Sequence, residues 1–181
     1  TATATATMTV TRAVLARRSV RAFVRDRAPP MAEIMEVLRL AHRAPSGGNV
    51  QPWKVHVVSG SVRDAIVADV AESVKAGVFT QGTEYNIYPP DISDPYKQRR
   101  TNNGQQLYDT IGIPKSDTRA KLRQVARNWE FFGAPVGIFF VVDRQHGPPQ
   151  WADIGMYIQT VLLLAAERGW ATCPQGAFSP S

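Results

Sequence analysis

The chain has 181 residues, 44% of them hydrophobic and 20% charged, with a formal net charge of +6. That size and composition describe a globular domain with a full core and exclude a disordered polymer. A single cysteine, Cys173, excludes an internal disulfide framework and a cysteine-rich zinc site, and the longest apolar run, 161–166, is far short of the ~20 residues a membrane-spanning helix needs.

In chain order, residues 1–8 open on a Thr-Ala repeat with no basic start and no apolar stretch. They read as a flexible lead-in without the pattern of an export signal, so the cytoplasm is the expected location. Residues 9–181 then form a single domain. The segment 9–18 carries Val10, Val14 and Leu15 at helical spacing. Met31 to Arg43 is an amphipathic helix with Ile34, Leu38 and Ala41 on one face and Met31 and Met35 beside them. Pro45-Ser46-Gly47-Gly48-Asn49 is a tight loop, because Gly and Asn tolerate positive φ.

Lys54 to Ser59 reads as a strand. Ser61, with Asp64 three residues on, reads as the cap of a helix reaching about Ala76, striped by Val62, Ile66, Val70 and Val74. Residues 79–103 are polar and rich in Tyr, Pro and Asn, and read as a long loop. A short helix covers Gly104 to Ile113, and Ser116 or Asp117 caps another that runs to about Phe132. Pro135 to Val142 is a strand apolar on both faces, the pattern of a central strand. Gln150 to Arg168 is a long helix, and Trp170 to Cys173 a short strand. The sum is an α+β domain, a central sheet covered by helices.

Charge is unevenly spread. Arg12, Arg17, Arg18, Arg21, Arg25 and Arg27 lie in the first 27 residues against one acid, Asp26. Three readings fit this cluster: a solvated basic face, a nucleic-acid contact, or a bound anion. Arginine suits planar, bidentate contact with phosphate. No stripe of interleaved aromatics supports a nucleic-acid surface.

Dinucleotide, phosphate-loop, nucleophile-elbow and metal motifs are absent from the sequence. What remains is a set of polar recognition groups. Arg17, Arg18, Ser19 and Arg21 offer guanidinium forks and a hydroxyl. Ser46, Asn49 and Gln51 offer donors and acceptors in a loop closed by Pro52-Trp53. Pro174-Gln175-Gly176 offers backbone N–H groups at a strand end. A ligand with a phosphate, a polyol and a flat heteroaromatic ring, such as FMN, would use all three.

The block Arg17-Arg18-Ser19-Val20-Arg21, followed by Ala44-Pro45-Ser46-Gly47-Gly48-Asn49-Val50-Gln51-Pro52-Trp53, resembles the nitroreductase family of flavoproteins. So does the helix from Asp153-Ile154-Gly155 to Ala166 with Gly169-Trp170-Ala171-Thr172-Cys173-Pro174-Gln175-Gly176 after it. The stretch with Arg99-Arg100, Leu107-Tyr108 and Gly112-Ile113-Pro114 is similar to members that reduce nitrobenzoates. The resemblance implies an α+β flavin fold and a homodimer with one FMN per subunit at the interface. Arg17, Arg18, Ser19 and Arg21 would hold the phosphate, ribityl chain and pyrimidine edge. Pro45, Ser46, Gly47 and Asn49 would reach the partner's flavin, with Gln51 supporting their loop. Pro174, Gln175 and Gly176 would line the ring. Electrons would pass from NADH or NADPH to a small nitroaromatic or quinone acceptor in ping-pong fashion, with Arg21 as an electrostatic helper and no nucleic acid, membrane or metal involved. Family members generally continue beyond a point equivalent to Ser181, so the expectation is a chain lacking their C-terminal part. A non-catalytic flavin-storage protein and a basic nucleic-acid-binding module are the alternative readings.

Overall fold

The structure, a computed structural model, describes residues 8–75 and 86–178. The Thr-Ala repeat over 1–7, the helix end expected at Ala76, the first part of the expected long loop (79–85) and the final residues 179–181 lie outside the described residues. The chain gathers into two compact units, one of residues 8–64 and 133–174, the other of 65–75, 86–132 and 175–178.

In the first unit, α1 (Val10–Ala16) starts at Thr9, whose hydroxyl accepts the Arg12 N–H. It turns only Ala13 inward, leaving Val10, Val14 and Leu15 exposed. α2 (Met31–Ala41) buries Ile34, Val37, Leu38 and Ala41, while Met31 and Met35 face outward. The stripe at Ile34 continues through i+3 and i+4 to Val37 and Leu38, which rotates both methionines off the core.

Strands β1 (Trp53–Ser59) and β2 (Val136–Val142) pair antiparallel, with Val57 opposite Ile138. Among the described residues β2 has this one ladder, so the central position expected from its two apolar faces is corrected. One face is covered by packing: Val136, Ile138 and Phe140 lie against the helical core, while Val141 on the other face is exposed. The strand expected at Trp170 to Cys173 reduces to a single parallel bridge between Ser19 and Thr172.

Helix α6 (Pro148–Glu167) begins two residues before the expected Gln150, because proline fits the first turn, where its missing N–H is not required. It buries Asp153, Tyr157, Val161 and Ala165 at intervals of one turn. Tyr157 stacks on Trp53 at 4.7 Å between ring centroids, and its hydroxyl donates to the Leu38 carbonyl at 3.0 Å. This contact joins α6, α2 and β1 into one core.

Helix α3 (Gly60–Lys75) leaves β1 at Gly60, which has φ of +54° and makes the turn itself. Ser61 therefore sits inside the helix and is not its cap, and Val62 is exposed.

In the second unit, α4 (Tyr96–Thr110) corrects the long loop, which was expected to reach residue 103, and absorbs the helix expected from Gly104. It has no buried residue, so no apolar stripe announces it. Its start is held by a local bond, Gln98 N–H to Asp94 Oδ1, and the Thr101 hydroxyl also donates to the Lys97 carbonyl. α5 (Thr118–Ala126) is capped by Asp117, whose Oδ1 accepts the Ala120 N–H at 2.8 Å. It stops short of Phe132, because Phe131 and Phe132 adopt φ of +52° and +53° and are both buried.

Candidate functional site

Arg17 ends α1 in an extended conformation, and the chain runs out alongside 170–174. Val20 N–H donates to the Thr172 carbonyl at 2.9 Å. The bridge sets the Arg17–Arg21 segment beside Thr172 and Cys173. Arg17, Ser19 and Arg21 are half-buried and Arg18 is exposed. The Arg21 guanidinium reaches its own segment at the Ser19 carbonyl, 3.5 Å away. Burial pushes the Cys173 thiol pKa up, and the positive charge of Arg21 pulls against it. Among the described residues no carboxylate forms an ion pair with Arg17, Arg18 or Arg21. Guanidiniums of this kind, with no carboxylate partner, have donors that an anionic ligand could take.

The 45–51 loop is a second assembly. Gly48, Asn49 and Gln51 have φ of +58°, +56° and +50°. Glycine meets this freely; Asn49 and Gln51 do so at some cost. The loop is laced internally: Asn49 N–H to the Ser46 carbonyl (2.9 Å), Gln51 N–H to Ser46 Oγ (3.0 Å) and Gln51 Nε2 to Asn49 Oδ1 (3.2 Å). Gly47 N–H donates to Asp153 Oδ2 on α6 at 3.2 Å. Pro45, Gly47 and Asn49 are exposed.

The structure thus brings Arg17–Arg21 to Thr172, and Ser46–Gln51 to Asp153. Pro174 closes the first unit in an exposed position. Gln175 and Gly176 belong to the second unit, where Gln175 Nε2 donates to the carbonyl and to Oδ1 of Asn128 at 3.2 and 3.1 Å. Gly176 is exposed, with open space where a Cβ would stand. A shallow groove of about 510 Å³ in the second unit, lined by Ile113, Arg123 and Arg127 among others, contains none of these residues.

Sequence reasoning missed Asp153 and Asn128 as partners. For Asp153 a signal existed: a carboxylate four residues before Tyr157 on the inward stripe of a core helix. Among the described residues no group of three His, Cys, Asp or Glu is placed to hold a metal ion, and no helix is long and apolar enough to cross a membrane.

The model of the Nitroreductase family matches residues 14–181. The chain is 35% identical to a nitrobenzene nitroreductase of Ectopseudomonas oleovorans, over 90% of this chain and 71% of that protein. It is 38% identical to a 4-nitrobenzoate reductase of Nocardioides sp., over 91% of this chain and 67% of that one. Among solved structures, the FMN and NADPH-dependent nitroreductase NfnB from Sphigopyxis sp. strain HMH superposes with a TM-score of 0.91 at 42% identity, covering 94% of this chain and 76% of its own. Neither the storage nor the nucleic-acid reading is favoured by these relatives. The α+β fold, the arginine segment paired to Thr172 and these matches lead to one conclusion: the chain belongs to the nitroreductase family.

Proposed function

We propose that this protein is an FMN-dependent oxidoreductase that uses NAD(P)H to reduce nitroaromatic or quinone acceptors. The observation that supports the reading is the Ser19–Thr172 bridge, which sets the segment carrying Arg17, Arg18 and Arg21 beside Thr172, with none of the three in an ion pair among the described residues. That donor set fits FMN, whose phosphate and pyrimidine edge both present acceptors. The chemistry that FMN supplies when bound is two-electron transfer from nicotinamide to acceptor.

The residues of this chain bind and tune. Arg17, Arg18 and Ser19 hold the phosphate and polyol. Arg21 places positive charge at the pyrimidine edge, where negative charge accumulates on reduction. Pro45, Ser46, Gly47 and Asn49 reach the cofactor of a second copy, with Gln51 bracing their loop. Pro174, Gln175 and Gly176 take the ring-lining role that the family resemblance implies. The family match over 14–181 supports treating 9–181 as one FMN-binding domain. A homodimer is supported by α1, whose Val10, Val14 and Leu15 are 74%, 51% and 75% exposed, an apolar face suited to a second chain. A cytoplasmic setting supplies the reduced nicotinamide.

The test is flavin titration of apoprotein carrying Arg21→Ala or Arg27→Ala. A charged hydrogen bond contributes about 1.5–3 kcal/mol, so Arg21→Ala should weaken FMN binding by about tenfold or more while Arg27→Ala changes little. Turnover of wild type with NAD(P)H and nitrobenzene should give parallel double-reciprocal lines. Equal affinities in the two variants, or release of FAD on denaturation, would overturn the assignment. A flavin-loaded protein that does not consume NAD(P)H would return the storage reading.

A further inference from the structure

We propose that Asp153 is a positioning residue: its buried carboxylate anchors the Ser46–Gln51 loop through the Gly47 N–H, so that the loop meets FMN with its donors already aimed. The inference rests on the FMN reading and extends it to a residue outside the cofactor-contacting set.

Asp153 is only 6% exposed and is the one buried charged residue among those described. The next inward positions of α6, Tyr157, Val161 and Ala165, are aromatic or aliphatic. A carboxylate on such a stripe carries a desolvation cost, and a hydrogen bond to a fixed donor is what offsets it. Its Oδ2 has that donor in Gly47 N–H, 3.2 Å away and more than a hundred residues distant in sequence. One turn further along α6, Tyr157 is locked by the Trp53 stack and the Leu38 carbonyl. The carboxylate is therefore held by a rigid helix, and the loop takes its place from the helix.

The loop needs such an anchor. Asn49 and Gln51 occupy the left-handed region, which side-chain-bearing residues enter at a cost. Its internal bonds consume acceptors: Ser46 Oγ receives Gln51 N–H, and Asn49 Oδ1 receives Gln51 Nε2. That leaves the Ser46 hydroxyl proton, the Asn49 amide N–H groups and the second N–H of Gln51 Nε2 as the side-chain donors at the loop surface. Internal lacing sets which groups are offered, and Asp153 sets where the laced loop stands.

The experiment compares FMN affinity, read by quenching of flavin fluorescence, in wild type, Asp153→Ala, Asp153→Asn and the core control Val161→Ala. Asp153→Ala should raise the dissociation constant by about tenfold or more. Asp153→Asn keeps an oxygen acceptor of the same shape and should stay within about threefold of wild type. Val161→Ala, destabilised by a cavity but with the anchor intact, should also stay within about threefold. An Asp153→Ala protein that binds as wild type does, or a Val161→Ala protein weakened as much as Asp153→Ala, would overturn the proposal. Should Asp153→Ala fail to fold, amide exchange in wild type decides: the Gly47 N–H should exchange at least about tenfold more slowly than in an unstructured chain, and an unprotected Gly47 rejects the anchor. Wild type that takes up no FMN rejects the proposed function, whereas wild type that binds FMN alongside an unaffected Asp153→Ala rejects the positioning role alone.

Discussion

Helices α6 and α4 reach helical structure by different physical routes. α6 buries five residues over 20 positions, and its inward stripe locks onto α2 and β1 through Tyr157. α4 buries none over 15 positions; the Asp94 carboxylate accepts the Gln98 N–H at its start, and the Arg100 guanidinium lies 4.0 Å from the Tyr88 ring centroid. Packing stabilises the first helix. Local bonds and cation–π contacts, each worth little in water, stabilise the second. The lesson is that hydrophobic periodicity detects helices that serve a core and is blind to helices that do not.

The sharpest way to break this contrast is truncation. Tyr157→Ala should cost about 3–5 kcal/mol, since it empties a fully buried aromatic site. Tyr96→Ala in α4, where the ring is 60% exposed, should change stability by no more than about 0.5 kcal/mol. Urea denaturation followed by far-ultraviolet dichroism measures both. Similar losses would mean that α4 packs as α6 does.

Alkaline titration tests the same core residue without removing it. Burial pushes the Tyr157 hydroxyl pKa up from 10.0 to about 12. The folded state therefore holds this proton more tightly than the unfolded state. Its contribution is fully present below pH 10 and is lost as pH rises from 10 through 12, amounting to about 3 kcal/mol at most. Tyr157→Phe loses the bond to Leu38 at neutral pH but should lack this alkaline component. Identical pH profiles for wild type and Tyr157→Phe above pH 10 would show that the hydroxyl is solvated.

Smaller effects refine the comparison from the α4 side. Gly104 lies in the middle of α4, with open space where a Cβ would stand. Gly104→Ala should stabilise by about 0.5–1 kcal/mol, because alanine leaves the unfolded chain less backbone freedom to lose on folding. A destabilised variant would reveal packing on that face. Thr101 in α4 and Thr160 in α6 each donate to the carbonyl four residues back, at 3.0 and 2.8 Å. Both Thr→Ala changes should fall within about 0.5 kcal/mol of zero in thermal melts, showing that this shared bond does not separate the two helices. A large loss at only one site would say that it does.

What was legible in the candidate site is local: Arg17–Arg21 is one contiguous segment, and Gly48-Asn49 announces a left-handed turn. Gln51 does not: a glutamine at φ +50° follows from the bonds it makes to Ser46 and Asn49. Asp117 was readable as one of two cap candidates, with Ser116, because a cap acts three residues away, and the structure selects it. Ser61 was misread because Gly60 turns the chain directly from β1 into α3.

Sequence alone determined the elements whose energetics are short-range: the inward stripe of α2, the β-branched and aromatic run of β2, the start of α5 to within two cap candidates, and the charge gathered at 12–27. Family membership was also visible there, since the arginine segment and the Ser46–Trp53 block are contiguous motifs. Only the tertiary structure decided that β2 pairs with β1 alone among the described residues, that Ser19 meets Thr172, and that Asp153 holds Gly47. Each of those joins residues far apart in the chain, and periodicity carries no term for such closure. The cost of bringing distant segments together is met by the whole core at once, so their pairing is settled by the packing of α6 against α2 and the strands rather than by any residue at the contact.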